Sequence, residues 1–235
     1  MNGLIIGILY IVAAVTSIIA VVFYQPVLSE QWYMAVANGL ETKVLIGVLN
    51  DILLVSAAVG TAVMLFPYIR RWNEQIALGY LCFRFMEAVI IAIGLVSILG
   101  LLHLSMNFER GSLGDGDLHA AGLLLQAFHR WTFMLGPNLM LGLNTLMYSY
   151  LLFRTGLVPK KLALFGMVTA VMVFIAGLID MFGIVEPNST AKGLIALPVG
   201  VYEMSLAVWL IVKGFHMQNL EKLNRGNLVK VRVRG

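Results

Sequence analysis

Six times along this chain apolar residues run on for about twenty positions before a short polar stretch interrupts them, the length a helix needs to cross a hydrocarbon core about 30 Å thick. The runs fall near 3–25, 44–66, 76–104, 132–153, 162–185 and 193–215. In lipid a segment must satisfy its own backbone, which a helix does alone and a strand does only inside a closed barrel. The runs lack the alternation of apolar and polar residues that a barrel strand carries. The sequence therefore predicts an all-α integral membrane protein, a six-helix transmembrane bundle. Composition agrees, with 60% hydrophobic and 12% charged residues against about 25% charged in soluble domains. The first run has no basic residue ahead of it and no small-residue cleavage pattern behind it, so it reads as a retained helix rather than a signal peptide.

The basic residues set the expected orientation. Arg70, Arg71, Arg154, Lys160, Lys161 and Lys213, with Lys222, Arg225, Lys230, Arg232 and Arg234 of the tail, fall on one side of the bundle; Lys43, Arg110 and Lys192 fall on the other, among Glu30, Glu41, Glu109, Asp115, Asp117 and Glu186. The positive-inside rule then places both termini in the cytoplasm. One transmembrane domain over 1–215 and a basic cytoplasmic tail over 216–235 are expected. The net charge of +4 needs no nucleic-acid partner: the bilayer, with anionic lipid at the tail, accounts for it. Cys82 is the only cysteine, so no disulfide forms within the chain.

Between 118 and 153 the apolar stretch is too long for one span, and Gly136-Pro137 falls inside it. Proline removes a helical hydrogen bond, so an interruption is expected there, with 118–131 lying partly at the outer interface; Pro198 predicts a similar interruption early in the last helix. Trp32, Tyr33 and Met34 suit an interfacial aromatic belt. Gly3-x-x-x-Gly7 is a candidate for close helix association.

Against this background Arg84 and Glu87 stand out. The third run holds sixteen Leu, Ile, Val and Phe residues between Ile76 and Leu104, worth about 5–10 kcal/mol of insertion energy, while a central Arg and Glu cost about 5–7 kcal/mol. Charges in so marginal a helix must turn from lipid, and a spacing of three puts both on one face, which Tyr80 extends. Glu203, beside Tyr202, lies at matching depth in the last run. A central cluster of Arg84, Glu87 and Glu203 is expected, with Tyr80 and Tyr202 as hydrogen-bond partners. Nearer the outer face, Asn50, Asp51, His129, Arg130, Asn138, Asn144 and Asp180 are expected to line a polar cavity that opens outward and ends at Arg84.

Buried charges of this kind either build a ligand or ion site or fix which helices pack together. A third reading, an enzyme using Glu87 or Glu203 as general acid or base, lacks a nucleophile motif, and no catalytic residue is assigned. His103, His119 and His129 lie toward the outer side without a recognised ligand spacing, so no metal or cofactor is expected.

The segments IALGYLCFRFMEAV, FRTGLVPKKLALFGMV and VYEMSLAVWLIVKGF resemble, in that order, the landmarks of a bacterial multi-pass membrane family known only as domain-of-unknown-function family 4386. The resemblance rests on Ala77 to Tyr80 followed by Arg84 and Glu87, on Leu157 to Pro159, and on Glu203 with Trp209 to Phe215. It spans nearly the whole chain and implies a protein of the bacterial cytoplasmic membrane. It supplies no activity, cofactor or catalytic residue. The function expected is an outward-facing polar pocket within the membrane that binds or passes a small ligand or ion, with a structural or assembly subunit and an intramembrane enzyme as alternatives.

Overall fold

Long apolar runs with few internal breakers fold as helices, since each helix pairs its own backbone groups. A computed structural model describes residues 2–109, 115–184, 190–216, 218–219 and 221. Arg110, Glu186 and most of the basic tail, from Lys222 onward, lie outside the described residues. The helices are α1 (Asn2–Leu28), α2 (Glu41–Ile69), α3 (Glu74–Glu109), α4 (Asp115–Met134), α5 (Leu141–Thr155), α6 (Lys160–Met181) and α7 (Thr190–Val212), and no strand occurs among the described residues. By length and apolar composition, α1 from Gly3 onward, α2, α3 and α6 are each able to cross a membrane.

Local chemistry sets several ends. Glu41 and Glu74 sit in the first turns of α2 and α3, where a negative charge meets the positive end of the helix dipole. Gly156 ends α5 in the left-handed conformation at φ 64°, a conformation glycine adopts without steric cost.

The expected interruption at Gly136-Pro137 takes another form. Leu135–Met140 is a π-helical segment that joins α4 to α5 with helical dihedrals at Met134 and Leu141 on either side. The Leu141 N–H reaches back to the Gly136 carbonyl, and this wider turn accommodates a residue that has no N–H to donate. Pro198 does not interrupt its helix either: α7 runs through it from Thr190 to Val212. The belt assignment also changes at Trp32, which is buried at 1% exposure with its indole against Gly122 of α4.

Packing closes six helices into a ring: α1 meets α2, α2 meets α3, α3 meets α5, α5 meets α6, α6 meets α7, and α7 returns to α1. The helix α4, which continues through the π segment into α5, packs against α3. The α1–α7 seam uses Gly3 and Gly7: a Cβ on Gly7 would stand 2.7 Å from the Ala207 carbonyl oxygen, and one on Gly3 would stand 3.3 Å from that of Leu210. The small-residue pair thus serves contact within the chain. The outer faces are apolar, with Ile18, Leu49, Val96 and Val208 exposed, while Arg84, Glu87, Asn144 and Glu203 are buried, as lipid rather than water requires.

The two ends of the bundle differ. At one, the His216 N–H donates to the Leu157 carbonyl at 2.9 Å, the rings of Tyr68 and Phe215 are 4.7 Å apart, and Arg154 lies over Trp72 at 4.7 Å. Arg70, Arg71, Lys160 and Lys213 flank these same turns. At the other, the Ser105 hydroxyl donates to the Tyr33 carbonyl at 2.9 Å, and the Gln126 side-chain amide donates to the carbonyls of Val27 and Ser29.

Candidate functional site

Arg84 and Glu87 lie one turn apart on α3, and the shared face is turned into the ring. Arg84 Nη1 donates to Glu87 Oε2 at 3.0 Å, and Asn144 Nδ2 of α5 donates to the same oxygen at 2.6 Å. Across the ring, Glu203 of α7 brings Oε1 to 3.8 Å from Arg84 Nη1, an ion-pair separation without a hydrogen bond. The Arg84 Nε donates to the Ala58 carbonyl of α2 at 3.4 Å, and the Thr61 hydroxyl donates to that same carbonyl at 2.6 Å. Exposure is 3% at Arg84, 5% at Glu87 and 9% at Glu203.

Tyrosines form the rest of the wall. Tyr148 of α5 is their hub, with ring centroids 6.1 Å from Tyr10, 5.3 Å from Tyr80 and 6.0 Å from Tyr202. All four rings are buried. Tyr202 shares a 2.8 Å hydrogen bond with Ser149, and Gly166 of α6 makes that possible, since a Cβ there would collide with the Tyr202 ring and stand 2.5 Å from Ser149 Oγ.

The polar inventory of this region does not close. Thr145 Oγ1, Asn144 Oδ1 and Glu203 Oε1 are buried and make no hydrogen bond to protein, and the hydroxyls of Tyr10, Tyr80 and Tyr148 are also buried, Tyr80 facing Tyr10 and Thr61 and Tyr148 facing Tyr202. Buried polar atoms are nearly always paired, with protein or with ordered water. Several buried polar atoms near one ion pair thus lack a close partner within the chain.

The outer residues separate into several groups. The Tyr24 hydroxyl lies 2.9 Å from both Asp51 Oδ2 and the Gly47 carbonyl, while Asp51 Oδ1 is buried without a partner. The His129 ring stands 6.0 Å from Tyr24, with Nδ1 at 3.4 Å from the Gly94 carbonyl. Asn50 instead donates to the Thr16 carbonyl at 2.5 Å and ties α2 to α1. Asn138 is buried in the π segment beside Gly177 of α6, and Asp180 is buried near the end of α6. Arg130 is exposed, because α4 turns it away from the ring that it packs against. Asn144 belongs to the central group. The residues expected to line one outer cavity thus have different neighbours, Asp51 beside Tyr24, His129 beside Gly94 and Asn138 beside Gly177.

Two spacings align Asp51 and the Gly94 neighbour of His129 with the centre. Asp51 and Ala58 are seven apart on α2, and Glu87 and Gly94 are seven apart on α3, so each pair shares a face. At about 1.5 Å per residue the outer group stands about 10 Å from the central one. An apolar groove of about 350 Å³ on the outer surface of α2 and α3, lined by Val59, Ala62, Val63, Leu81, Cys82 and Phe85, includes none of these charged groups. No group of three or more His, Cys, Asp or Glu side chains able to hold a metal ion occurs among the described residues.

Sequence reasoning did not single out Tyr10, Tyr24, Thr145 or Ser149. A lone hydroxyl within an apolar run is a weak signal, since such groups often bond to their own helix.

Apolar helices that turn their charges inward define an integral membrane protein. The chain belongs to the family described as Domain of unknown function (DUF4386), whose model matches residues 5–214, a stretch that holds Arg84, Glu87 and Glu203. No curated protein and no solved structure matches the chain.

Proposed function

We propose that this protein is a six-span protein of the bacterial cytoplasmic membrane, with both termini in the cytoplasm, and that its central polar cluster binds or passes a small ligand or ion reached from the outer side. The observation that carries this reading is the set of buried polar groups around Arg84, of which Glu203 Oε1 and Asn144 Oδ1 have no hydrogen-bond partner in the protein. A bundle that needed only an ion pair for register would keep Arg84 and Glu87 and fill the remaining space with apolar side chains. Here hydroxyl-bearing rings pack around Tyr148 instead, and a hydroxyl left dry in lipid costs stability. Asp51 on the Ala58 face of α2, and His129 of α4 beside Gly94 on the Glu87 face of α3, support an approach from that side. The basic residues gathered at one end of the bundle support the orientation, with 1–215 as the transmembrane domain and the tail from 216 against anionic lipid.

A structural or assembly role is the second reading, favoured by the low exposure of Arg84 and Glu87. A high-resolution density map of the lipid-embedded protein separates the two. Ordered non-protein density bonded to Tyr148, Asn144 or Glu203, with a path toward Asp51, agrees with a ligand or ion site. Side chains closed over the cluster with no such density and no path contradict it.

A further inference from the structure

The two carboxylates that share Arg84 are not equivalent. Glu87 Oε2 accepts two hydrogen bonds, from Arg84 Nη1 at 3.0 Å and from Asn144 Nδ2 at 2.6 Å. Glu203 Oε1 accepts none and stands 3.8 Å from the same Nη1. One guanidinium thus faces two carboxylates, a net charge of −1 if both are ionised. The other titratable groups around Glu203 are Tyr10 of α1, Tyr80 of α3, Tyr148 of α5 and its neighbour Tyr202. All are phenols, neutral at ordinary pH, and none supplies the missing positive charge. A buried carboxylate without a donor is costly, and the usual resolution is to bind a cation or become neutral.

We infer that Glu203 is the proton-binding member of the cluster, taking up and releasing a proton while Glu87 stays ionised against Arg84. A proton from water bonds to a carboxylate oxygen of Glu203, no bond within the protein breaks, and the charge of the cluster passes from −1 to 0. The acid form is a donor as well as an acceptor, so it can share a hydrogen bond with the tyrosine hydroxyls around it. The inference rests on reading the cluster as a site open to water, and it names the proton as the ion that the site takes.

Infrared difference spectroscopy of the full-length protein in lipid tests this through the C=O stretch of a protonated carboxyl, titrated over pH. The wild type is expected to show such a band, lost as pH rises. Subtracting the Glu203→Gln spectrum removes the contributions of Asp51 and Asp180 and leaves the Glu203 band alone. The conservative variants assign it: Glu203→Asp displaces the band, and Glu87→Asp leaves it in place. Melting curves of the two Asp variants confirm that each is folded. Identical spectra for wild type and Glu203→Gln overturn the inference, as does a band displaced by Glu87→Asp and not by Glu203→Asp. The readout needs no ligand. A pH-dependent Glu203 band in a protein whose density map shows no ligand path would retain the proton site and remove the transport reading; ligand density without the band would do the reverse.

Discussion

At the scale of single residues, the cluster is an ion pair whose members depend on each other unequally. Arg84→Met would leave two buried carboxylates without their cation, and removal of one partner of a buried pair costs about 3–5 kcal/mol. Loss of stability of that size is expected in chemical denaturation of the detergent-solubilised protein. The triple change Arg84→Met, Glu87→Leu, Glu203→Leu removes the whole group and should restore stability to within about 1 kcal/mol of wild type or above it, because no charge remains to be compensated. A triple variant as unstable as the single one would show that the charges hold the helices together. Asn144→Ala takes one donor from Glu87, and a hydrogen bond to a charged group is worth about 1.5–3 kcal/mol. Some of this was legible in the sequence: a spacing of three put Arg84 and Glu87 on one face, and counting depth put Glu203 opposite them. The roles of Tyr10 and Ser149 were not legible, and Asn144 was expected along the outer cavity rather than as a donor to Glu87. A continuously apolar run does not state which of its faces points inward, and only packing fixes that rotation.

At the scale of elements, the seams are made by small residues. Gly7 lets α1 approach α7 until its Cα faces the Ala207 carbonyl, and a Cβ would stand 2.7 Å from that oxygen. Gly7→Ala should therefore destabilise the fold by about 1–3 kcal/mol, the usual cost of overpacking. Gly200, on the α7 side of the same pair, has no neighbour within 4 Å of the Cβ position, so Gly200→Ala is expected to be neutral or slightly stabilising through helix propensity. Equal effects in a thermal melt would contradict the seam. The glycine spacing was visible in the sequence, but its partner was not, because the same spacing serves contacts between chains and within one. Gly136-Pro137 gives a related lesson. Proline announces a disturbed helix, yet whether it breaks, kinks or widens the turn depends on what the neighbouring residues satisfy, and here the Leu141 N–H reaching to Gly136 carries the chain across.

At the scale of the whole molecule, six helices close a ring with apolar residues outward and a polar group inside. The basic turns at 70–73 and 156–160 and the end of α7 share one end of that ring. A fluorescent reporter that folds only in the cytoplasm, fused after Gly235, should therefore be active, and a periplasmic phosphatase at the same position should be silent. The opposite pattern would invert the proposed orientation. On the proposed function the interior cluster is open to water. Water-edited solid-state NMR of the lipid-embedded protein, labelled at tyrosine and leucine, reads it directly. Magnetisation from water is predicted to reach Tyr148 and Tyr10 well before it reaches Leu151, which is equally buried in the apolar part of the same core. Build-up at Tyr148 as slow as at Leu151 would contradict the account.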